Sequence, residues 1–317
     1  MEVTMKFKVF VDGSEGTTGL QINERLALRD DLDIIKIDVE KRKDIKERKK
    51  CLNDADIVFL CLPDAAAMES VSLIDNPGTK VIDASTAHRI NSAWAYGLPE
   101  LSKNHRNKIQ NSSRVAVPGC YATGFISLMY PLVSEGIVQR DYPVTTHAVS
   151  GYSGGGKKLI EQFEAPEGSP FESPQLYALG LSHKHIPEMT VISGLEQAPI
   201  FSPLVCPYYK GMSVCIPVFP KLLPAPTTKE AVHEFLSHYY GNENFIKVMP
   251  IAAEKEYTNS FIGATRVNDT NYLEIYVTGN SDQILLISVL DNLGKGSSGA
   301  AVQNMNIMLG LPEDVSL

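Results

Sequence analysis

The spacing of apolar residues changes several times along the chain, and each change predicts an element. Lys6-Phe7-Lys8-Val9-Phe10-Val11 alternates and then turns wholly apolar, which predicts a first strand. Glycines follow, and Leu20 to Leu28 takes helical spacing. Ile34 to Val39 predicts a second strand and Lys41 to Leu52 a polar helix. Asp56-Ile57-Val58-Phe59-Leu60-Cys61-Leu62 is a continuous apolar run of the kind that buried parallel strands carry, and Pro63-Asp64 ends it. Ala65 to Leu73 then predicts a helix, Lys80 to Asp83 and Arg114 to Val117 two short strands, and Phe125 to Leu132 a further helix. Strands that alternate with helices predict a doubly wound α/β domain over the first ~120 residues.

The second half has a different texture. Tyr142 to Val149, Met189 to Ser193, Ser213 to Phe219, Asn271 to Thr278 and Gln283 to Leu290 are β-like, with few helices between them. That pattern predicts an α+β domain with a mostly antiparallel sheet. Ala165 to Pro170 and Pro220 to Pro226 are proline-rich and predict surface loops. Gly299 to Leu309 predicts a helix that returns to the first domain.

Composition narrows the function classes. The chain has 317 residues, 44% of them hydrophobic and 21% charged, which is ordinary globular usage and suggests two domains. A net charge of −8 argues against a nucleic-acid or anionic-membrane binder. No apolar run approaches the ~18 residues that a membrane span needs, and Met1 to Met5 has no signal-peptide pattern. Cys51, Cys61, Cys120, Cys206 and Cys215 lack zinc spacing and are odd in number, so neither a disulfide framework nor a structural metal is expected. A cytoplasmic enzyme is the expectation.

Two stretches carry candidate chemistry. Gly13-x-x-Gly16-x-x-Gly19 lies between a predicted strand and a predicted helix, the setting of a dinucleotide-binding turn. Thr17 and Thr18 add hydroxyls that suit phosphate. After the second strand, Asp38 suits a ribose hydroxyl and NAD, whereas Lys41-Arg42-Lys43 suits the 2′-phosphate of NADP; the planar fork of Arg42 makes it the preferred reader. In the second stretch, Pro118-Gly119-Cys120 stands between a strand and a helix. A thiolate there is stabilised by the helix dipole and suits a nucleophile. His183-Lys184-His185-Ile186-Pro187-Glu188 could supply a general base with Glu188 to orient it, or a three-ligand metal site that lacks a fourth ligand. His185 is preferred over His183 as acid/base because Glu188 follows it. Gly151-Tyr152-Ser153-Gly154-Gly155-Gly156-Lys157-Lys158 formally matches a P-loop, but Lys158 occupies the position where magnesium binding needs Ser or Thr.

Together these residues resemble the N-acetyl-gamma-glutamyl-phosphate reductase family in its shorter form, related to the aspartate-semialdehyde and glyceraldehyde-phosphate dehydrogenases. The likeness runs from Gly13–Gly19 through Val81 to Arg89, Tyr96 to Glu100, Pro118 to Tyr121, Ser150 to Gly156 and His183 to Glu188, and ends at Asp291 to Gly299. Val117 departs from the longer members, which carry Asn there. The resemblance implies a Rossmann domain of residues 1–119 and 298–317 that binds NADP. It also implies a catalytic and oligomerisation α+β domain of residues 120–297 and a homodimer or homotetramer. It further implies Cys120 as nucleophile, His185 or His183 as acid/base, and a small acyl-phosphate substrate. Gly13, Gly16, Thr17, Thr18, Gly19, Arg42, Ser153, Gly154 and Asn292 would then contact the cofactor. Arg89 and Arg114 are candidates for the substrate phosphate or carboxylate, on charge and position. The alternatives are a reductase of aspartyl or carrier-bound aminoadipyl phosphate, a cysteine hydrolase, and a non-catalytic NADP-sensing protein.

Overall fold

The computed structural model describes residues 6–165, 169–251, 257 and 260–317, so Met1 to Met5 and part of the predicted loop at Ala165 to Pro170 lie outside the described residues. The chain forms two compact units. One runs up to Pro118 and resumes over Ser297–Leu317; the other is Gly119–Gly296.

The first unit contains β1 (Phe7–Asp12), α1 (Thr17–Leu26), β2 (Leu32–Ile35), α2 (Ile45–Asp54), β3 (Ile57–Leu60), α3 (Asp64–Ser72), β4 (Lys80–Asp83), β5 (Ala95–Tyr96), α4 (Lys103–Asn111) and β6 (Arg114–Ala116). Among the described residues these strands form one parallel sheet in the order β2-β1-β3-β4-β6-β5. Both faces are covered, which explains the unbroken apolar runs. Val9, Ile57, Phe59, Ile82 and Val115 pack into one core, and Phe10, Val58, Leu60, Val81 and Ala116 into the other. The C-terminal helix Gly299–Leu309 belongs to the first of these cores through Ala300, Ala301, Val302 and Met305. Chain order reverses between β1 and β3, so the crevice beyond their carboxyl ends is the switch point where open α/β sheets bind ligands.

Two predicted bounds move here for the same reason. Asp38 accepts a bond from the Glu40 N–H and caps a 3-10 turn over Val39–Lys41, so β2 ends earlier than predicted. Asp44 then accepts from the Lys46 and Glu47 N–H groups and starts α2 at Ile45, later than predicted.

The second unit contains α5 (Cys120–Ser134), β7 (Thr145–Gly151), α6 (Lys157–Phe163), β8 (Gln175–Leu176), α7 (Ile186–Ser193), β9 (Ile200–Cys206), β10 (Met212–Val218), α8 (Lys229–Tyr239), β11 (Ile246–Val248), β12 (Leu273–Gly279) and β13 (Ile284–Leu290). Its sheet has the order β11-β12-β13-β10-β7-β9-β8. The pairs β11–β12 and β7–β9 are parallel and the remaining pairs antiparallel. The predicted strand at Met189 to Ser193 is instead the second half of α7. Pro187 opens that helix and left-handed Gly194 (φ +77°) closes it, two signals that outweigh a short apolar run. α5 packs against β10, β13 and α7. Gly124 lets it lie close, since a Cβ there would fall 2.6 Å from Ser288 Oγ and 2.8 Å from Val214 Cγ2.

Candidate active site

Candidate chemistry sits in both units. In the first, the three glycines of the loop have different tasks. Gly13 has φ +90°, and a Cβ on it would collide with the Cys61 carbonyl; a Cβ on Gly19 would collide with the Gly13 carbonyl. These two glycines fold the loop onto the sheet and onto α1. Gly16 differs, because the nearest atom to a Cβ there is 3.5 Å away. Its amide donates to Gly13 O (3.1 Å) and its carbonyl starts α1, whose first turn has no side-chain cap and no acidic residue. A side chain at Gly16 would therefore meet its neighbours only at ordinary contact distance, and the uncapped α1 amides suit an anion. Thr17 opens the helix, and Thr18 Oγ1 lies 3.1 Å from Ser297 Oγ.

Beside this loop an open cleft of about 640 Å³ is lined by Phe10, Val11, Ser14, Asn23, Ala27 and Ile34 to Ile37. The turn that follows β2 carries Arg42, which is exposed. Asp38 is held by its own turn through the bond to Glu40, and the Lys41 ammonium lies 4.0 Å from Glu47. The cleft combines the apolar side chains of Phe10, Val11, Ile34, Ile35 and Ile37 with the polar ones of Ser14, Asn23 and Lys36, a mixed lining of the kind that suits a small-molecule ligand.

In the second unit Cys120 is the first residue of α5, and its neighbours on both sides touch the histidine segment. The Gly119 N–H donates to Oε2 of Glu188 (3.1 Å), one turn into α7. The Tyr121 ring lies 5.7 Å from that of His183 and 5.9 Å from that of His185, and the two imidazoles are 4.7 Å apart, edge to face. The His185 N–H donates to Nδ1 of His183 (3.1 Å), which places the proton of a neutral His183 ring on Nε2, facing Tyr177 Oη at 3.5 Å. His185 is buried and stands at the N-cap of α7. Burial pushes the phenols of Tyr121 and Tyr177 well up, and both lie within the electrostatic reach of Cys120. Among the described residues, no group of three or more His, Cys, Asp or Glu could hold a metal ion.

Several predicted residues stand elsewhere than expected. Asn292 is buried, and both ends of its amide are bonded to protein: Oδ1 accepts from Gly211 N–H (2.8 Å), and Nδ2 donates to Ser153 Oγ (3.0 Å). It braces the Ser153–Gly154 turn from 139 residues away, a pairing that no local pattern signals. Arg89 is also buried, with Nε donating to Val117 O (2.9 Å) and a terminal nitrogen to Ala84 O (3.2 Å), so it supports the chain that leads toward Cys120. Arg114, the other candidate for the substrate phosphate or carboxylate, has one guanidinium nitrogen bonded to backbone. It opens β6 at the amino end of the parallel sheet, away from the glycine loop, and donates to the Thr79 and Ser113 carbonyls. Tyr121, Tyr177 and Gly296 were not singled out from sequence. Gly296 abuts the nucleophile candidate, since a Cβ on it would fall 2.8 Å from that of Cys120. A tyrosine beside an apolar run and a glycine in a turn give no sign of such neighbours.

Comparison with known proteins agrees with this division. The family described as semialdehyde dehydrogenase, NAD binding domain, matches residues 8–110, and semialdehyde dehydrogenase, dimerisation domain, matches residues 120–292. A protein named N-acetyl-gamma-glutamyl-phosphate reductase 2, from Nostoc, is 46% identical over 320 residues, covering 98% of this chain and 99% of its own. Aspartate semialdehyde dehydrogenase from Francisella tularensis has the same fold (TM-score 0.74, 15% identity, 96% and 100% of the two chains covered). The Candida albicans aspartate semialdehyde dehydrogenase, solved with NADP, is likewise similar (TM-score 0.65, 14% identity, 96% and 98% covered). With near full-length identity to one and the fold of the others, the chain belongs to the N-acetyl-gamma-glutamyl-phosphate reductases of the semialdehyde dehydrogenase family.

Proposed function

We propose that the protein reduces N-acetyl-gamma-glutamyl phosphate to N-acetylglutamate 5-semialdehyde with NADPH, releasing phosphate, as a step of arginine biosynthesis. The observation that carries the site assignment is Cys120 at the first position of α5, with His183, His185, Tyr177 and Glu188 gathered around its neighbours.

Cys120 Sγ attacks the acyl carbon as thiolate, a sulfur–carbon bond forms, and the carbon–oxygen bond to phosphate breaks with its electron pair leaving on phosphate. The α5 amides favour negative charge on the sulfur and then on the carbonyl oxygen. Bound NADPH supplies the hydride that reduces the thioester to the aldehyde level. Collapse returns the electron pair to sulfur and releases the aldehyde, with His185 moving the proton. His183, with Nδ1 engaged by backbone, keeps a donor at Nε2 and fixes His185 rather than acting as the base. Gly13, Gly16, Thr17, Thr18 and Gly19 hold the pyrophosphate, and Arg42 takes the 2′-phosphate. Ser153 and Gly154 form a cofactor-facing turn braced by Asn292. The second unit supplies a homodimer or homotetramer contact, in keeping with the description of the family it matches. Charged, membrane-impermeant substrate and cofactor favour the cytoplasm as the site of this reaction.

The test is phosphate-dependent NADP reduction with N-acetylglutamate semialdehyde, with aspartate semialdehyde alongside. Turnover of the first at more than about a hundredfold higher kcat/KM is expected, equivalent to about 2.7 kcal/mol of discrimination. A preference for the second would overturn the substrate, and turnover without nicotinamide cofactor would favour a hydrolase.

A further inference from the structure

Glu188 is 1% exposed, and a buried carboxylate is costly unless hydrogen-bonded. Its Oε2 accepts from the N–H of Gly119, the N-cap of α5. In a capping box that amide is taken by a Glu or Gln three residues into the same helix, while the N-cap side chain covers the amides of the first turn. Here the third helical residue is Ala122 and the N-cap is a glycine, so neither half of the box exists within α5. α7 supplies the missing carboxylate instead. The Gly119 amide thus ties the α5 start to α7, and the first turn of α5 has neither a side-chain cap nor an acidic residue. The N-cap of the same short helix α7 is His185, three residues before Glu188.

We propose that Glu188 is a positioning residue for Cys120: through the Gly119 amide it fixes the start of α5 to the helix whose N-cap is His185, setting nucleophile and imidazole on one frame. The proposal rests on Cys120 being the nucleophile. It assigns Glu188 the task of a hydrogen-bond acceptor of a particular length, rather than that of a negative charge paired with imidazole. Glutamine keeps the acceptor and the length but loses the charge; aspartate keeps the charge but falls short by one methylene.

The test compares Glu188→Gln, Glu188→Asp and Glu188→Ala in the full chain. It reads kcat, KM for NADP and the rate of iodoacetamide labelling at Cys120, with thermal midpoints measured in parallel. Glu188→Gln is expected to stay within about threefold of wild type in kcat and labelling. Glu188→Asp and Glu188→Ala are expected to lose about 10²-fold in kcat, as small misplacements of reacting groups do, with KM for NADP little changed. Glu188→Gln falling as far as Glu188→Ala would overturn the proposal and assign the role to charge; so would wild-type kcat in Glu188→Asp. Should Glu188→Ala not fold, the Gln and Asp variants decide alone. Turnover that survives Cys120→Ala would overturn the nucleophile and the anchor with it, whereas an inactive Cys120→Ala with a normal Glu188→Asp overturns the anchor only.

Discussion

Cys61 and Cys120 each follow a buried strand, β3 and β6, yet the chain treats them differently. Cys61 continues the ladder, its N–H donating to Asp12 O (2.8 Å), and its carbonyl lies where a side chain on Gly13 would stand. Burial pushes its thiol up to about 12, and the Asp83 and Asp12 carboxylates add to the shift. The helix that follows starts only at Asp64, so the favourable end of α3 is already taken by a carboxylate, which also accepts from Thr86. Pro118-Gly119 instead break the strand at once and make Cys120 the first residue of a helix with no acid in its first turn. The two cysteines differ in the few residues between strand and helix, not in the strand, and that difference is what the proposed nucleophile rests on.

The sharpest way to break that contrast is to remove each sulfur. Cys120→Ala is expected to lower kcat at least about 10⁴-fold while leaving NADP affinity unchanged, and Cys61→Ala to leave kcat within a few fold. At pH 7.5 a thiol with a pKa near 12 is ionised in only about one molecule in 10⁴ to 10⁵, so brief iodoacetamide treatment should label Cys120 before Cys61. Cys215, pushed up to about 11 by burial, should also be slow. Mass spectrometry finding Cys61 or Cys215 labelled first would reverse the comparison.

The next effect in size concerns the proton. His185→Asn should lower kcat by about 10² to 10⁴ with a smaller change in KM, the usual result of removing a general acid–base. His183→Asn should cost less, because its Nδ1 serves the backbone. The reverse order would exchange their roles.

The smallest effect tests the other glycine-rich start, α1. Arg42→Ala should weaken NADP binding roughly ten- to hundredfold, since a charge-assisted bond is worth about 1.5–3 kcal/mol, and leave NAD binding nearly unchanged. Equal losses for both would mean that Arg42 only supports the turn.

The parallel half of the fold was legible because burial on two faces writes uninterrupted apolar runs such as Ile57–Leu60, and the short strand Lys80–Asp83 and the helix Gly299–Leu309 have the bounds that the sequence predicts. Met189 to Ser193 misled because Met-Thr-Val-Ile suits a strand as well as a helix, and only Pro187 and Gly194 arbitrate. β9 and α8 went unread, the first because Pro203 interrupts its pattern and the second because its polar face dilutes the apolar one. The gathering of Cys120, the histidines and Glu188 followed from resemblance and spacing, but its bonds did not. Glu188 reaches a backbone amide, and backbone partners leave no trace in side-chain pattern.

The helix Gly299–Leu309 completes the core of a unit whose other elements are encoded before residue 119. Asn304 donates to Gly97 O, Gln303 to Glu100, and Arg29 to Asn306, so the late segment is bonded as well as packed. On the ribosome, the nucleotide-binding half therefore emerges early but waits, with Val9, Ile82 and Val115 short of a covering helix, until the whole intervening unit has been synthesised. Such a nascent chain exposes apolar surface for longer than one built from consecutive segments, and spends longer where aggregation competes with folding.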